Sequence, residues 1–119
     1  MLATTDPRPL DPAAADRKVV LMRLLARAEV TRLGLEPSDE EVKAIARWWR
    51  TRYELRTLER FAAWLKFSGM DLARFMAMMR DFAALSKVLA HYEAAIDDAM
   101  DNHHAIHTVH DFISRKDER

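Results

Sequence analysis

The chain has 119 residues, 50% of them hydrophobic and 32% charged, which is typical of one folded globular domain rather than a disordered chain. Its 19 lysines and arginines balance 19 aspartates and glutamates, which argues against a general binder of nucleic acid or of acidic membranes. The chain has no cysteine, so disulfide bonds and thiolate chemistry are excluded.

Glycine and proline, the residues that break helices, are rare after the first twelve residues of the chain. Only two glycines and four prolines occur, and three of the prolines lie before residue 13. The remainder is rich in helix formers, which predicts an all-α fold, a compact bundle of about five helices joined by short corners marked by glycine and proline. We expect a flexible N-terminal arm over residues 1–12, a single helical domain over 13–114 and a frayed tail over 115–119.

The first residues lack the basic and then apolar pattern of a signal peptide. No apolar run approaches the roughly 20 residues of a membrane-spanning helix, so we expect no membrane partner and a cytoplasmic location.

The first helix is predicted from about Ala13 to Leu33. Apolar residues at three- and four-residue spacing are expected to form its buried stripe, namely Val20, Leu21, Leu24, Leu25 and Ala28. Glu29 lies between this stripe and the helix end. It is expected either to be a partly buried carboxylate or to pair with a cation at the helix edge.

A corner between two helices is predicted from Arg32 to Val42. Gly34 is placed to end the first helix in the left-handed conformation. Ser38 and Glu41 have the spacing of a capping box, so helix two is predicted to begin after Ser38.

Three more elements follow in order. Helix three is predicted from about Thr57 to Phe67, and Gly69 with Asp71 marks the next corner. Helix four is predicted from Leu72 to about His91 or onward to Met100, and a last helix from about His103 to Ser114. The apolar stripe of helix four is expected to comprise Leu72, Phe75, Met76, Met79, Phe82 and Ala83.

Helix two interleaves arginine with aromatic residues. Arg47 and Arg50 alternate with Trp48, Trp49 and Tyr53, and a guanidinium beside an aromatic ring can hold phosphate, carboxylate or stacked bases. The run of arginines continues through Arg52 and Arg56 to Arg60, and Glu54 and Glu59 interrupt it. The alternative is therefore a solvated helix face with local ion pairs. Adjacent tryptophans cannot both face the core, so one is expected at a margin or in a groove.

An apolar groove that binds a peptide is the first site hypothesis. Met78 and Trp48 fit the buried stripes less well than their neighbours, and methionine adapts to irregular apolar partners. The predicted groove comprises Trp48, Trp64 and Met78, with Arg47 and Arg50 at its rim.

A metal site is the second hypothesis. His103, His107 and His110 fall within an arc of roughly 60° on one helix, and imidazoles at this spacing can share a divalent ion such as zinc. Two histidines with a carboxylate from another helix are easier to arrange than three ligands from one helix. The additional groups considered are Glu29, His91 and Asp111. The alternative is a solvated or partner-facing histidine cluster.

No catalytic motif is present. The chain has no glycine-rich phosphate loop and no nucleophile elbow. Acid–base chemistry by Glu29, His91 or Tyr53 would require the fold to bring them together.

From Leu24 to about Leu89 the chain resembles the SurA N-terminal-like helical domain, which is related to the peptide-binding C-terminal part of trigger factor. The resemblance rests on Leu33–Gly34–Leu35, Pro37–Ser38–Asp39–Glu40–Glu41–Val42, Phe61, Trp64–Leu65, Gly69–Met70 and Phe75. It implies binding of extended or unfolded polypeptide in clefts between helices, in a chaperone-like role.

The sequence therefore favours a small non-catalytic helical module that binds a peptide segment or partner protein. One form of this hypothesis makes the module an accessory to a peptide-modifying enzyme. The alternative is a small helical metalloprotein or metalloenzyme that uses the C-terminal histidines with a carboxylate. No cofactor is expected apart from such a metal. The identity of the peptide and the oligomeric state are left open.

Overall fold

The computed structural model describes the backbone of residues 12–117 and the side chains of residues 13–115. Six helices make up this part of the chain, and it contains no strand, so the all-α prediction is confirmed. They are α1 (Pro12–Leu33), α2 (Asp39–Arg52), α3 (Leu58–Ser68), α4 (Leu72–His91), α5 (Glu93–Ile106) and α6 (Val109–Asp117). The arm predicted over residues 1–12 lies outside the described residues except for Pro12, and the described start of the predicted tail, residues 115–117, is helical.

The chain divides into two compact units inside α4, one ending at Val88 and the other beginning at Leu89. The boundary between the units falls within residues 13–114, the range predicted to be a single helical domain. The first unit contains α1, α2, α3 and most of α4. The second contains the end of α4 with α5 and α6.

The two predicted corners of the first unit have the expected capping chemistry. Gly34 has a φ of +69°, and the amide of Leu35 donates to the carbonyl of Val30 at 2.8 Å. The hydroxyl of Ser38 accepts from the amide of Glu41 at 3.1 Å, and the Glu41 carboxylate accepts from the amide of Ser38 at 2.8 Å. This reciprocal pair is the predicted capping box, and it fixes where α2 begins.

Glu41 also joins α2 to α4. Its second carboxylate oxygen lies 2.7 Å from Nζ of Lys87. The hydrogen bond from Lys87, with that from the Ser38 amide, lowers the pKa of Glu41 from 4.5 to about 2. The Glu41 carboxyl therefore holds its proton less tightly in the folded chain than in the unfolded chain. The stabilisation of the fold by ionised Glu41 is complete above about pH 4.5 and disappears as the pH falls through about 2.

We therefore expect Glu41→Gln to lower the urea midpoint at pH 7, because glutamine keeps the cap but loses the ion pair with Lys87. The difference from the unsubstituted chain should shrink as the pH falls from 5 to about 2. Glu40→Gln is the matched control. It removes the same charge from a side chain that is 82% exposed and whose cation, Lys43 at 3.8 Å, lies in the same helix. A midpoint difference that stays constant over this pH range would contradict the assignment.

One hydrophobic cluster joins α2, α3 and α4. It is centred on Phe75 and Met79 of α4, which are 1% and 0% exposed. The other buried members are Val42, Ala46, Leu55, Phe61 and Ala83. Of the stripe predicted for α4, Phe75, Met79 and Ala83 are buried, whereas Leu72 is 56% exposed because it begins the helix at the edge of the unit.

The buried face of α1 is not the predicted one. Ala26 and Val30 are 2% and 3% exposed and pack with Ala84 of α4, whereas Leu21, Leu24 and Leu25 are 54%, 49% and 60% exposed. The physical reason is that α1 packs on α4 through small side chains and an ion pair. Arg23 and Arg27 both bind Asp81 of α4, at 3.0 Å and 2.7 Å, and these contacts fix the rotation of α1 about its axis.

Candidate binding surface

The predicted groove residues of α2, α3 and α4 do not share one environment. Trp48 is 62% exposed, and Arg47 beside it is exposed as well. Trp64 is half-buried, with its ring centroid 5.1 Å from that of Trp49, and Met78 packs against the same core cluster. Two of these residues therefore lie at the surface, while Trp64 and Met78 support the core.

Arg50 stabilises the turn between α2 and α3. Its Nε donates to the carbonyl of Leu55 at 3.0 Å, and its Nη2 donates to the carbonyl of Arg56 at 3.0 Å. The guanidinium also lies 4.3 Å from the centre of the Phe61 ring. Two of its five N–H donors and one face of the guanidinium are thus engaged within the chain, which is consistent with its half-buried position.

The C-terminal histidines do not share one helix: His103 and His104 lie in α5, His107 follows its end, and His110 lies in α6. The predicted helix over residues 103–114 is interrupted, because α5 ends at Ile106 and α6 begins at Val109. The Thr108 hydroxyl donates to the carbonyl of Ala105 at 2.7 Å, and the Thr108 carbonyl accepts from the amide of Phe112, so this residue lies between the C-cap of α5 at His107 and the start of α6.

This break removes the common helical face that the metal hypothesis assumed. The rings of His103 and His107 pack edge to face at 5.6 Å, and His110 belongs to α6. Within residues 13–115 there is no group of three or more histidine, cysteine, aspartate or glutamate side chains that could hold a metal ion. The predicted metal site therefore has no support in the described part of the chain.

The other candidate residues for metal binding or acid–base chemistry make contacts with close neighbours in the sequence or lie exposed. Glu29 forms a two-bond ion pair with Arg32 at 2.7 Å and 2.8 Å, and its side chain is 23% exposed, so it is both partly buried and paired with a cation. Tyr53 stacks at a tilt on Trp49 at 4.8 Å, and the ring of His91 meets that of Tyr92 edge to face at 4.8 Å. Asp111 is exposed in the first turn of α6.

A small hollow between α1, the first corner and α4 holds about 420 Å³ and contains several charged groups. Those groups already have partners. Arg27 binds Asp81, and Thr31 donates to Glu36 at 3.1 Å. Arg80 donates to the carbonyl of Pro37 at 3.3 Å and pairs with Asp39 at 3.0 Å. The hollow is thus an internally paired network that holds α1 and the corner against α4.

The feature that the sequence interpretation missed is a second apolar face on α1. The stripe assigned to the core lies on roughly the opposite side of the helix from Ala26 and Val30, at 100° per residue. We call it the α1 stripe, and it comprises Val20, Leu21, Leu24, Leu25 and Ala28. Its four larger members are 45% to 60% exposed. The available signal was that α1 is apolar on both sides, which a helix with one buried face does not need.

The N-terminal half of this surface is basic. An open hollow of about 560 Å³ is lined by Asp16, Arg17, Lys18, Val20, Leu21 and Leu24. From residue 17 to residue 28, α1 carries four cations and no carboxylate. Two of the cations are bound by Asp81, so Arg17 and Lys18 are the cations that flank the stripe, with the carboxylate of Asp16 in the lining of the same hollow.

No helix within the described range combines the length and the apolar character that crossing a membrane requires. Comparisons of the chain with protein-family models, with curated proteins and with solved structures found no match, so the resemblance to the SurA and trigger-factor helical domains stays a prediction.

Proposed function

We propose that this chain is a small non-catalytic helical module that binds an acidic amphipathic helix presented by another protein molecule. The observation that carries the proposal is the α1 stripe, whose large side chains remain about half exposed although the helix is packed on α4. Apolar side chains grouped on one face of a helix are typical of sites where a second helix binds.

The chemistry of the stripe defines the segment that it would accept. Leucine and valine at spacings of three and four residues fit apolar side chains at i, i+3, i+4 and i+7 of a partner helix. Arg17 and Lys18 favour carboxylates at one end of that helix, and like charges there would weaken binding. The partner is thus expected to combine an apolar stripe with aspartate or glutamate.

Peptide binding is thus proposed as the sequence predicted, but with the principal contact residues on α1. Leu21 and Leu24 replace Trp64 and Met78, which are engaged in the core. Trp48 and Arg47 are exposed on α2 and stay predicted contact residues for a peptide.

Selection from a library of displayed peptides tests the proposal. We expect the unsubstituted chain to enrich amphipathic helical peptides that carry acidic residues beside their apolar stripe. Enrichment should be lost with Leu21→Glu/Leu24→Glu, since each glutamate would lie unpaired against an apolar partner. Phe67→Glu, which places a glutamate at a side chain of α3 that is 90% exposed, is the matched control and should retain these peptides. Trp48→Ala tests the predicted contact on α2 and should also retain the α1-dependent peptides.

Circular dichroism of each variant verifies that the helices are intact. Peptides that bind equally well to the Leu21→Glu/Leu24→Glu variant would assign the binding elsewhere. Loss of those peptides in Trp48→Ala alone would restore the groove that the sequence predicted.

A further inference from the structure

The chain itself contains a helix with the properties that the α1 stripe requires. Between Glu93 and Asp101, α5 carries four carboxylates and no lysine or arginine. The ion pairs found among the described residues do not include these four carboxylates. Thus α5 is an acidic helix whose charge is complementary to that of the basic first half of α1.

The same helix has an apolar stripe of its own. Ile96 and Met100 lie four residues apart on one side of α5, are each 39% exposed, and are followed three residues later by His103. None of the residues of α5 is buried. Since isolated helices of about 14 residues are marginal in water and depend on packing of one face, α5 is expected to need a partner.

We infer that the chain forms a homodimer in which α5 of one copy packs on the α1 stripe of the other. This inference rests on the proposed function and names its partner as a second copy. A two-fold axis makes the contact twice, because each copy provides one α1 and one α5. Two reciprocal contacts bury twice the apolar surface of one, for a single loss of translational and rotational freedom.

The charges favour this pairing over the two alternatives in which like helices meet. Two copies of α1 would bring Arg17 and Lys18 of both chains to one interface. Two copies of α5 would bring Glu93 and Asp97 of both chains together, because at 100° per residue these two carboxylates lie beside Ile96 and Met100. Pairing of α1 with α5 instead places cations beside carboxylates. The opposite signs of the two helices therefore select which faces meet.

Sedimentation velocity of the full chain between about 5 and 500 µM measures the association directly. We expect a dimer whose dissociation constant rises at least tenfold in Leu24→Glu and in Met100→Glu, because each substitution damages both copies of the contact. Phe67→Glu is the matched control, since Phe67 is 90% exposed on α3 and lies outside both stripes. Circular dichroism separates loss of association from loss of helix.

Mixing the two variants tests the pairing itself. A dimer of one Leu24→Glu chain with one Met100→Glu chain retains one undamaged contact, between α1 of the second chain and α5 of the first. We therefore expect the equimolar mixture to associate more tightly than either variant alone, which pairing of α1 with α1 does not allow.

Three results would overturn the inference. They are a wild-type chain that stays monomeric throughout, a dimer that Met100→Glu leaves intact, and a mixture that associates no better than its components. In each case peptide selection on the α1 stripe still tests the proposed function, because it needs only one copy of the chain. Retained α1-dependent peptides with a monomeric chain would reject the second copy and keep the binding module.

Discussion

Replacing Asp81 by alanine is expected to lower the free energy of unfolding by about 3 kcal/mol. Asp81 is 4% exposed and accepts three hydrogen bonds, one from Arg23 and two from Arg27. Its removal would leave Arg23, whose side chain is 22% exposed, as a partly buried cation without its carboxylate. Arg27 is 59% exposed and can recover water, which places the cost at the lower end of the range for a broken buried pair.

Chemical denaturation at pH 7 measures the loss, with the urea midpoint and slope recorded for both chains. A triple variant, Asp81→Leu with Arg23→Met and Arg27→Met, is the control for the charges. It removes all three polar groups together and should recover most of the stability. If Asp81→Ala changed the midpoint no more than an exposed substitution does, α1 would not be held by this ion pair.

The effect of Asp81→Ala should also depend on pH. Burial raises the pKa of Asp81, but the hydrogen bonds and charges of Arg27 and Arg23 outweigh it and leave the pKa below its ordinary value. The unfolded chain therefore binds the proton more tightly than the folded chain. The stabilisation is present above the unfolded pKa of about 3.9 and disappears as the pH falls through the lower folded value, so the difference between the two chains should shrink in acid.

The helices of the first unit could be predicted because single capping residues determine where they begin and end. Gly34 and Gly69 adopt the left-handed conformation at the ends of α1 and α3, with φ of +69° and +73°. Ser38 and Asp71 cap the following helices through their side chains. Such signals act within a few residues of one another, so one sequence is enough to recognise them.

The orientation of α1 could not be predicted, because it depends on a residue 54 positions away from Arg27. Periodicity selects the larger apolar side chains as the buried ones, and α1 instead buries Ala26 and Val30 against Ala84. A contact between α1 and Asp81 is invisible to local pattern. The same limitation hid the exposed stripe, which is the principal surface of the proposed site.

The C-terminal histidines show a similar limit on a shorter scale. The pattern of His103, His107 and His110 assumes a continuous helix, and the helix instead stops at Ile106 and resumes at Val109. Threonine is compatible with a helix interior as well as with a helix end, so the competing hydrogen bond of Thr108 to Ala105 could not be decided from spacing alone.

Phe75→Ala is expected to cost about 4 kcal/mol of the free energy of unfolding, the largest effect of a single apolar truncation in this unit. The Phe75 ring is 1% exposed and lies between the other aromatic rings of the core. Its centroid is 4.9 Å from Phe61, 5.3 Å from Trp49 and 6.1 Å from Trp64, in edge-to-face arrangements. Truncation would therefore remove three ring contacts and open a cavity where α2, α3 and α4 meet.

Tryptophan fluorescence provides a local reading of the same event. Trp49 and Trp64 border the cavity, so their emission should shift to longer wavelength in Phe75→Ala, while the exposed Trp48 contributes equally to both chains. Phe67→Ala makes the same chemical change on a side chain that is 90% exposed, and its cost should stay within about 0.5 kcal/mol. Equal losses in the two variants would mean that unfolding is not governed by this cluster. A loss clearly smaller than about 4 kcal/mol would instead show that the neighbouring rings close part of the cavity, because the cavity contribution to the cost falls as the site collapses.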